Sequence, residues 1–196
     1  MRSNVCKIEK GTKDLRAILK ESEKVAVYNE LDEKQTLQLR LICEELDGML
    51  PKIIDDFEGS FWIEFENGVC KVNASITFAE FTAKKKKELL SVAKDKKNAS
   101  VTGLVAKISA AIEEFFLDED TARALSMTSQ VYGSMVDGVE YPYRWSLNEY
   151  KVDVKKKQKQ EAWDELEKSV LASVADDVIV GVKGLQADII VVKKFA

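Results

Sequence analysis

The chain has 196 residues, of which 45% are hydrophobic, 33% charged and 8% aromatic, and its formal net charge is −4 at pH 7. This length and composition predict one globular domain with a substantial core, and the negative charge argues against a general nucleic-acid-binding surface. No apolar run approaches the roughly 20 residues that span a bilayer, and the N-terminus lacks the apolar block of a secretion leader, so we expect a cytoplasmic protein without a membrane partner.

Two residue types narrow the chemistry further. The chain contains no histidine, which excludes Ser-His-Asp and Cys-His catalysis, histidine-ligated metal sites and a phospho-accepting histidine. Any proton transfer would have to use Glu, Asp, Lys or Tyr. Cys6, Cys43 and Cys70 form no Cys-x-x-Cys pair and each falls within an apolar pattern, so we expect three reduced, buried thiols.

A strand and two helices are predicted at the start of the chain. Residues 4–9 alternate in polarity, as a short strand does, and Thr12 is a plausible N-cap for the helix that follows. Asp32 and Gln35 have the spacing of a capping box at the start of a second helix, which we expect Pro51 to stop or kink. The apolar stripe of the second helix recurs at three- and four-residue intervals, at Leu39, Ile42, Leu46 and Met49.

The most strongly predicted local element is the hairpin that follows the second helix. Asn67-Gly68 is a preferred dipeptide for a two-residue type I′ turn. After the turn, apolar and polar side chains alternate, as they do in a strand with one buried face. The apolar positions are Cys70, Val72, Ala74, Ile76 and Phe78.

The second half of the chain predicts two helices, a long strand and another hairpin. Helical periodicity covers about 101–116 and again 158–174. Between them, 143–154 alternates in polarity with one change of phase near Asn148, which predicts a long strand with a bulge. The closing hairpin is predicted at 177–182 and 185–192.

These elements predict a single domain that covers residues 1–196. We found no internal repeat and no linker long enough to demand two domains. The expected fold is an α/β two-layer sandwich, with a mixed, mostly antiparallel sheet and helices packed on one face.

The order of elements and two short segments resemble the histidine-kinase-like ATPase superfamily, in its anti-sigma-factor, serine-protein-kinase branch. The segment LRLICEELDGML is similar to the family's helix that carries a glutamate and, four residues later, an asparagine. The match places Glu44 on the glutamate, which in the family acts as general base or orients a water, and makes it the candidate catalytic residue. Gly48 stands where the family's asparagine helps to hold magnesium, and Asp47 beside it lies about 100° round the helix axis.

The other two family motifs concern the nucleotide directly. The segment NASVTGLVAKIS resembles a glycine-containing turn that opens a helix beneath the phosphates, which implies that Thr102 and Gly103 meet the phosphates. Lys96 and Lys97, just before this helix N-terminus, would suit an anion. The family's Asp-x-Gly-x-Gly motif, whose aspartate binds the adenine amino group, is absent, because the chain has AEFTAKKKK at that place. The implied cofactor is ATP with magnesium, and no side chain is assigned as a metal ligand.

Three functions are compatible with these features. The first is an anti-sigma-factor-like regulatory domain that binds ATP or a related nucleotide and a protein partner of the sigma-factor or anti-sigma-antagonist type. The second is a degenerate protein-interaction module, acting as a homodimer or with another regulator, that has lost ATP binding. The third is an enzyme with a different carboxylate-based activity. The missing aspartate motif and Gly48 favour loss of catalysis, and Glu44 with Glu45 also fits a plain solvated acidic face.

Overall fold

The computed structural model of the chain describes residues 1–11, 15–54, 56–78, 103–117, 134–136, 139–141, 143–157, 163–164, 166, 168–183 and 186–195. The helices described are α1 (Leu15–Tyr28), α2 (Glu33–Ile53), α3 (Leu104–Leu117), α4 (Leu147–Lys156) and α5 (Val170–Val174). The strands described are β1 (Cys6–Glu9), β2 (Phe57–Glu66), β3 (Val69–Phe78), β4 (Ser134–Val136), β5 (Val139–Tyr141), β6 (Tyr143–Ser146), β7 (Asp177–Lys183) and β8 (Gln186–Lys194). The N-cap predicted at Thr12 lies outside the described residues.

Six of the strands form one open sheet in the order β1-β2-β3-β8-β7-β6, and β4 pairs with β5 in a separate two-stranded sheet. All pairings between the described strands are antiparallel, so this part of the chain contains the antiparallel component of the expected sheet and no parallel pair. The predicted α/β sandwich is confirmed at this level.

Both predicted hairpins are confirmed. Asn67 and Gly68 have φ of 50° and 76°, and positive φ at both central residues is what a type I′ turn requires. The second hairpin pairs β7 with β8, and β8 pairs with β3 through Val72 and Val191, which joins the two hairpins into the centre of the sheet. At most 1% of the surface is exposed at each of Cys70, Val72, Ala74 and Ile76.

The helices cover one face of the sheet. One apolar cluster contains residues from all five helices, among them Ile18, Leu46 and Ile108, together with alternate residues of β1, β2, β3, β7 and β8. Because alternate residues of a strand point to the same face, this cluster defines the helix-covered side. Across the central strands the opposite face is more polar and includes Ser60, Ser75 and Asp188.

Helix α2 begins as predicted and ends later than predicted. The carboxylate of Asp32 accepts the backbone N–H of Gln35 at 2.7 Å, and the side chain of Gln35 accepts the backbone N–H of Asp32 at 3.0 Å, so the capping box is confirmed. The stop expected at Pro51 is wrong, since the helix continues to Ile53. Pro51 lies in the last turn, where its missing N–H deprives only one carbonyl of a helical donor.

The long strand predicted over 143–154 is wrong. Strand β6 ends at Ser146, whose hydroxyl accepts the backbone N–H of Glu149 at 3.4 Å and caps helix α4. Leu147 and Val154 are 0% and 1% exposed. Their separation of seven residues is two turns of a helix, so the change of phase in the alternating pattern marked a helix rather than a bulge.

The continuous helix predicted over 158–174 is also wrong, because Ser169 interrupts it. Ser169 has φ −84° and ψ 117°, which is extended backbone, and its hydroxyl accepts the backbone N–H of Ala172 at 3.2 Å as the N-cap of α5. The apolar pattern itself was useful, since Leu166 and Leu171 are both buried.

A buried carboxylate attaches the N-terminal segment to α1. Glu21 is 9% exposed and accepts the backbone N–H and the side-chain amide of Asn4, at 3.0 and 3.2 Å, and it is also paired with Lys24. Burial alone would raise the pKa of the Glu21 carboxyl, but the hydrogen bonds from Lys24 and Asn4 outweigh it and lower the pKa below its usual value. The folded state therefore favours the ionised carboxylate.

Candidate functional site

Arg40, Glu44 and Gly48 form a stripe along α2, one turn apart, on the side away from its buried face. The guanidinium Nε of Arg40 donates to Glu44 Oε1 at 3.0 Å, and Arg40 Nη1 lies 3.9 Å from Glu23 Oε1 on α1. The side chain of Glu44 is 36% exposed. The candidate catalytic carboxylate therefore sits in a surface ion-pair network that joins α2 to α1, and such pairs contribute about 0–1 kcal/mol to stability.

Gly48 is exposed, and its position does not require a glycine. A Cβ atom added there would meet no other atom within 4 Å. Close packing therefore does not explain the missing side chain. In the resemblance this position belongs to a magnesium-binding asparagine, and Gly48 offers no ligand atom from a side chain.

Asp47 does not replace that ligand in position. It is partly buried, and it lies about 100° round the helix axis from Gly48. Within the part of the chain that the structure describes, no group of three or more Cys, Asp or Glu side chains is placed to hold a metal ion. The described residues on α2 therefore do not fit the magnesium-binding role that the resemblance implies.

The start of α3 is where the sequence predicted it. Gly103 directly precedes the helix with φ of 94°, and its carbonyl accepts the backbone N–H of Lys107 at 3.2 Å. Helix α3 packs against α2, and its residues Leu104 and Ile108 are buried in the core. The other three predicted phosphate-site residues, Lys96, Lys97 and Thr102, lie outside the described residues.

The structure thus brings the two candidate regions onto the same face of the sheet, on helices that touch. The contacts of Glu44 nevertheless lead towards α1, through Arg40 and Glu23, and no described contact links Glu44 to α3. Gly103 is explained without a ligand, because a positive φ favours glycine at a helix start. An open cavity of about 380 Å³ is lined by Met1, Arg2, Glu64, Phe65 and Glu66, and no residue of α2 or α3 lines it.

The cysteines are poor nucleophiles. Cys43 and Cys70 are buried, as predicted, whereas Cys6 is partly exposed. Burial raises the pKa of the Cys43 thiol well above its usual value and the pKa of Cys70 to about 12. Both buried thiols are therefore neutral at pH 7 and unsuited to covalent catalysis.

The sequence reasoning missed an apolar surface at the turn between α1 and α2. Val27, Tyr28 and Leu37 are 79%, 71% and 64% exposed, and we call these three residues the tip patch. The contact between Glu23 and Arg40 fixes the antiparallel pairing of the helices. The tip patch residues lie three to five positions from that contact, all on the side of the turn.

A signal for this surface was present in the sequence. Val27 and Tyr28 directly follow the buried pair Val25 and Ala26, and so fall off the apolar stripe of α1. Leu37 is two residues before the buried Leu39, which is about 200° away around a helix. Large apolar residues out of phase with the stripe of a helix mark an exposed apolar surface.

Comparison of the chain with models of protein families, with curated proteins and with solved structures found no match. Among the described helices, none is long and apolar enough to cross a membrane. The chemistry that remains on the page is the ion-paired stripe of α2, the glycine-led start of α3 and the tip patch.

Proposed function

We propose that the chain is a regulatory protein-interaction module on a sandwich of the histidine-kinase-like ATPase type, in which nucleotide chemistry has been lost. The tip patch is the surface that contacts the protein partner. The observation that carries this proposal is the exposure of Val27, Tyr28 and Leu37, at 64–79%, on a hairpin that is otherwise charged. A partner of the sigma-factor or anti-sigma-antagonist type is what the resemblance implies.

The scaffold part of the proposal is supported by the order of elements. The structure has a strand, two helices, a hairpin, a glycine-led helix and a closing hairpin in the order on which the resemblance was based. All five described helices contribute to one apolar cluster on one face of the main sheet. The type of fold beyond an α/β sandwich stays part of the proposal.

Loss of catalysis is supported by the chemistry of α2. A general base must come within hydrogen-bond reach of the proton that it removes. Glu44 is instead hydrogen-bonded to Arg40 at 3.0 Å, and Gly48 lacks the side chain that would complete the site. We therefore assign Glu44 to the surface ion-pair network and derive no phosphoryl-transfer step.

The size of the tip patch indicates its role in binding. Complete burial of a Val, Leu or similar side chain is worth about 1.5–3 kcal/mol. Three such side chains therefore supply roughly 5–9 kcal/mol before losses, which is comparable with the rotational and translational entropy lost on association. The tip patch is large enough to be the energetic centre of an interface, and it needs a polar surround to give stable binding.

The proposal is tested by site-specific crosslinking. A photo-reactive residue placed at Tyr28 should capture a discrete partner in cells, and one at Val152, which is 50% exposed on α4, should not. The captured protein is then purified and titrated with wild type, Leu37→Asp and the control Val152→Asp, after circular dichroism has shown that each variant is folded. We expect Leu37→Asp to bind at least about tenfold more weakly, a loss of about 1.4 kcal/mol. Equal binding by the two aspartate variants, or no discrete product from Tyr28, would overturn the proposal.

A second candidate is a regulatory domain that still binds ATP or a related nucleotide without turning it over. The start of α3 favours it, because a 14-residue helix led by Gly103 presents backbone N–H groups of the kind that bind phosphate. Its test is thermal unfolding with excess ATP, since a ligand at about 100 times its Kd stabilises the folded state by about 2.7 kcal/mol. An unchanged Tm at millimolar ATP would exclude this candidate.

A further inference from the structure

The charges on the α1–α2 hairpin are sorted on either side of the tip patch. Beyond the patch, at the turn, three acidic residues are exposed, namely Glu30, Asp32 and Glu33. On the other side of the patch, away from the turn, four basic residues are exposed, namely Arg16, Lys20, Lys24 and Arg40. The order along the hairpin is therefore basic, apolar, acidic.

Two residues carry the opposite sign within these groups, and neither removes the pattern. Glu23 lies among the basic residues, 3.9 Å from Arg40. Lys34 follows Glu33 in the acidic group, which still has three carboxylates against one ammonium group. Lys24 is paired with the mostly buried Glu21 and remains 47% exposed.

This order is self-complementary under a two-fold axis through the tip patch. In such a contact, residue i of one copy faces residue j of the other, and j faces i. Lys20 and Lys24 lie about 5–10 Å from Val27 along α1, at the rise of about 1.5 Å per residue. Glu33 is four residues before Leu37 on α2, which is about 6 Å in the opposite sense. An antiparallel pair of hairpins therefore sets apolar against apolar at the centre and acidic against basic on both flanks.

We propose that the tip patch binds a second copy of this chain, in a two-fold contact between α1–α2 hairpins that is flanked by two sets of acidic–basic pairs. The inference rests on the proposed function and names the partner of the same surface. The choice of a second copy follows from charge: the acidic turn is repelled by nucleic acid and by anionic membranes, whereas this chain itself carries the complementary basic stripe beside the patch.

The size of the surface sets the expected strength. A stable interface buries about 800 Å² on each partner, and three side chains cannot supply that area without the charged flanks. Exposed ion pairs are weak and are screened by salt. The dimer is therefore expected to have a dissociation constant in the micromolar range or weaker and to weaken as ionic strength rises.

The experiment is sedimentation of the full chain over roughly 1 µM to 1 mM protein, at low and high salt, where millimolar and micromolar Kd correspond to about 4 and 8 kcal/mol. We expect a concentration-dependent monomer–dimer equilibrium that salt weakens. Leu37→Asp should raise the dissociation constant at least about tenfold, and Val152→Asp should leave it unchanged. A protein that stays monomeric at every concentration, or a dimer that Leu37→Asp does not affect, would overturn the inference.

A charge exchange tests the two-fold geometry. Lys20→Glu and Glu33→Lys should each weaken the dimer, because each sets like charges together twice, and the double variant should recover most of the wild-type affinity. Recovery no better than either single variant would contradict the two-fold arrangement. A monomeric protein whose position 28 crosslinks to a different protein would end this inference and leave the proposed function standing, whereas loss of both would remove the function as well.

Discussion

The same substitution at two glycines of the candidate site should change stability in opposite directions. Gly48 and Gly103 are alike in space, because a Cβ atom at either would meet nothing within 4 Å. They differ in backbone conformation, since Gly48 lies within α2 and Gly103 has φ of 94°. Replacement by alanine therefore isolates conformational preference from packing.

The magnitudes follow from these conformations. Gly48 is five residues before the end of α2 and exposed, where alanine is favoured over glycine by about 0.8–1.0 kcal/mol. At Gly103 an alanine would have to adopt a positive φ, at a cost of about 1–2 kcal/mol. For a domain of this size 1 kcal/mol corresponds to about 2–4 °C in Tm. We therefore expect Gly48→Ala to raise Tm by about 2–4 °C and Gly103→Ala to lower it by about 2–8 °C.

The assay is urea unfolding followed by tryptophan fluorescence, with thermal unfolding as a second measure. Unchanged urea dependence would show that the altered midpoint reflects stability rather than a change in the unfolded state. A destabilised Gly48→Ala protein would refute the placement of Gly48 on an open helix surface. A third variant, Gly48→Asn, restores the family's side chain at the same open position, so magnesium-dependent ATP binding gained by this variant alone would show that the lost side chain had removed the site.

Three further predictions concern stability, pH and thiol chemistry. Asp177→Ala should lower the free energy of unfolding by roughly 2–3 kcal/mol in urea titration, because its carboxylate accepts the Ser146 hydroxyl and the backbone N–H groups of Asn148 and Val178 at 2.8–3.1 Å. Because the pKa of Glu21 is lowered in the folded state, its contribution is complete above its unfolded pKa of about 4.3 and is lost as pH falls through the folded pKa; wild type should therefore lose more stability than Glu21→Gln between about pH 5 and pH 3, and parallel curves would contradict this. Ellman's reagent at pH 8 should modify Cys6 first and the two buried thiols only as the protein unfolds, and three equal rates would contradict the burial argument.

The sequence predicted those elements whose cause is local. The Asn67-Gly68 turn and the Asp32–Gln35 capping box depend on residues at most three apart, and both formed as predicted. The pairing of β3 with β8 joins residues such as Val72 and Val191, which are more than a hundred positions apart, so the order of strands had no local cause to detect.

The errors arose where one pattern fitted two structures. Tyr150 and Val154 suited either a strand with a bulge or the face of a helix, and the hydroxyl of Ser146, held by Asp177, decides for the helix. At Ser169 a side chain that can cap a helix interrupts an unbroken apolar period. Neither cap can be recognised with confidence until the surrounding chain is in place.

The candidate site was only partly predictable. The sequence placed Glu44 and Gly48 on one face of a helix, and the structure shares that placement. It could not show that Arg40 pairs with Glu44, because a long charged side chain on a helix can turn towards several neighbours. The tip patch was missed because apolar residues outside a helical stripe gain meaning only when their exposure is known.

The central claim is that this sandwich has kept a protein-binding surface and lost magnesium-dependent nucleotide binding. Isothermal titration of the purified chain with ATP and ADP, with and without magnesium, tests it most directly. We predict no magnesium-dependent heat at millimolar nucleotide, a binding free energy weaker than about 4 kcal/mol. Magnesium-dependent binding at micromolar concentration, about 8 kcal/mol, would contradict the claim and restore the regulatory ATPase as the function of the chain.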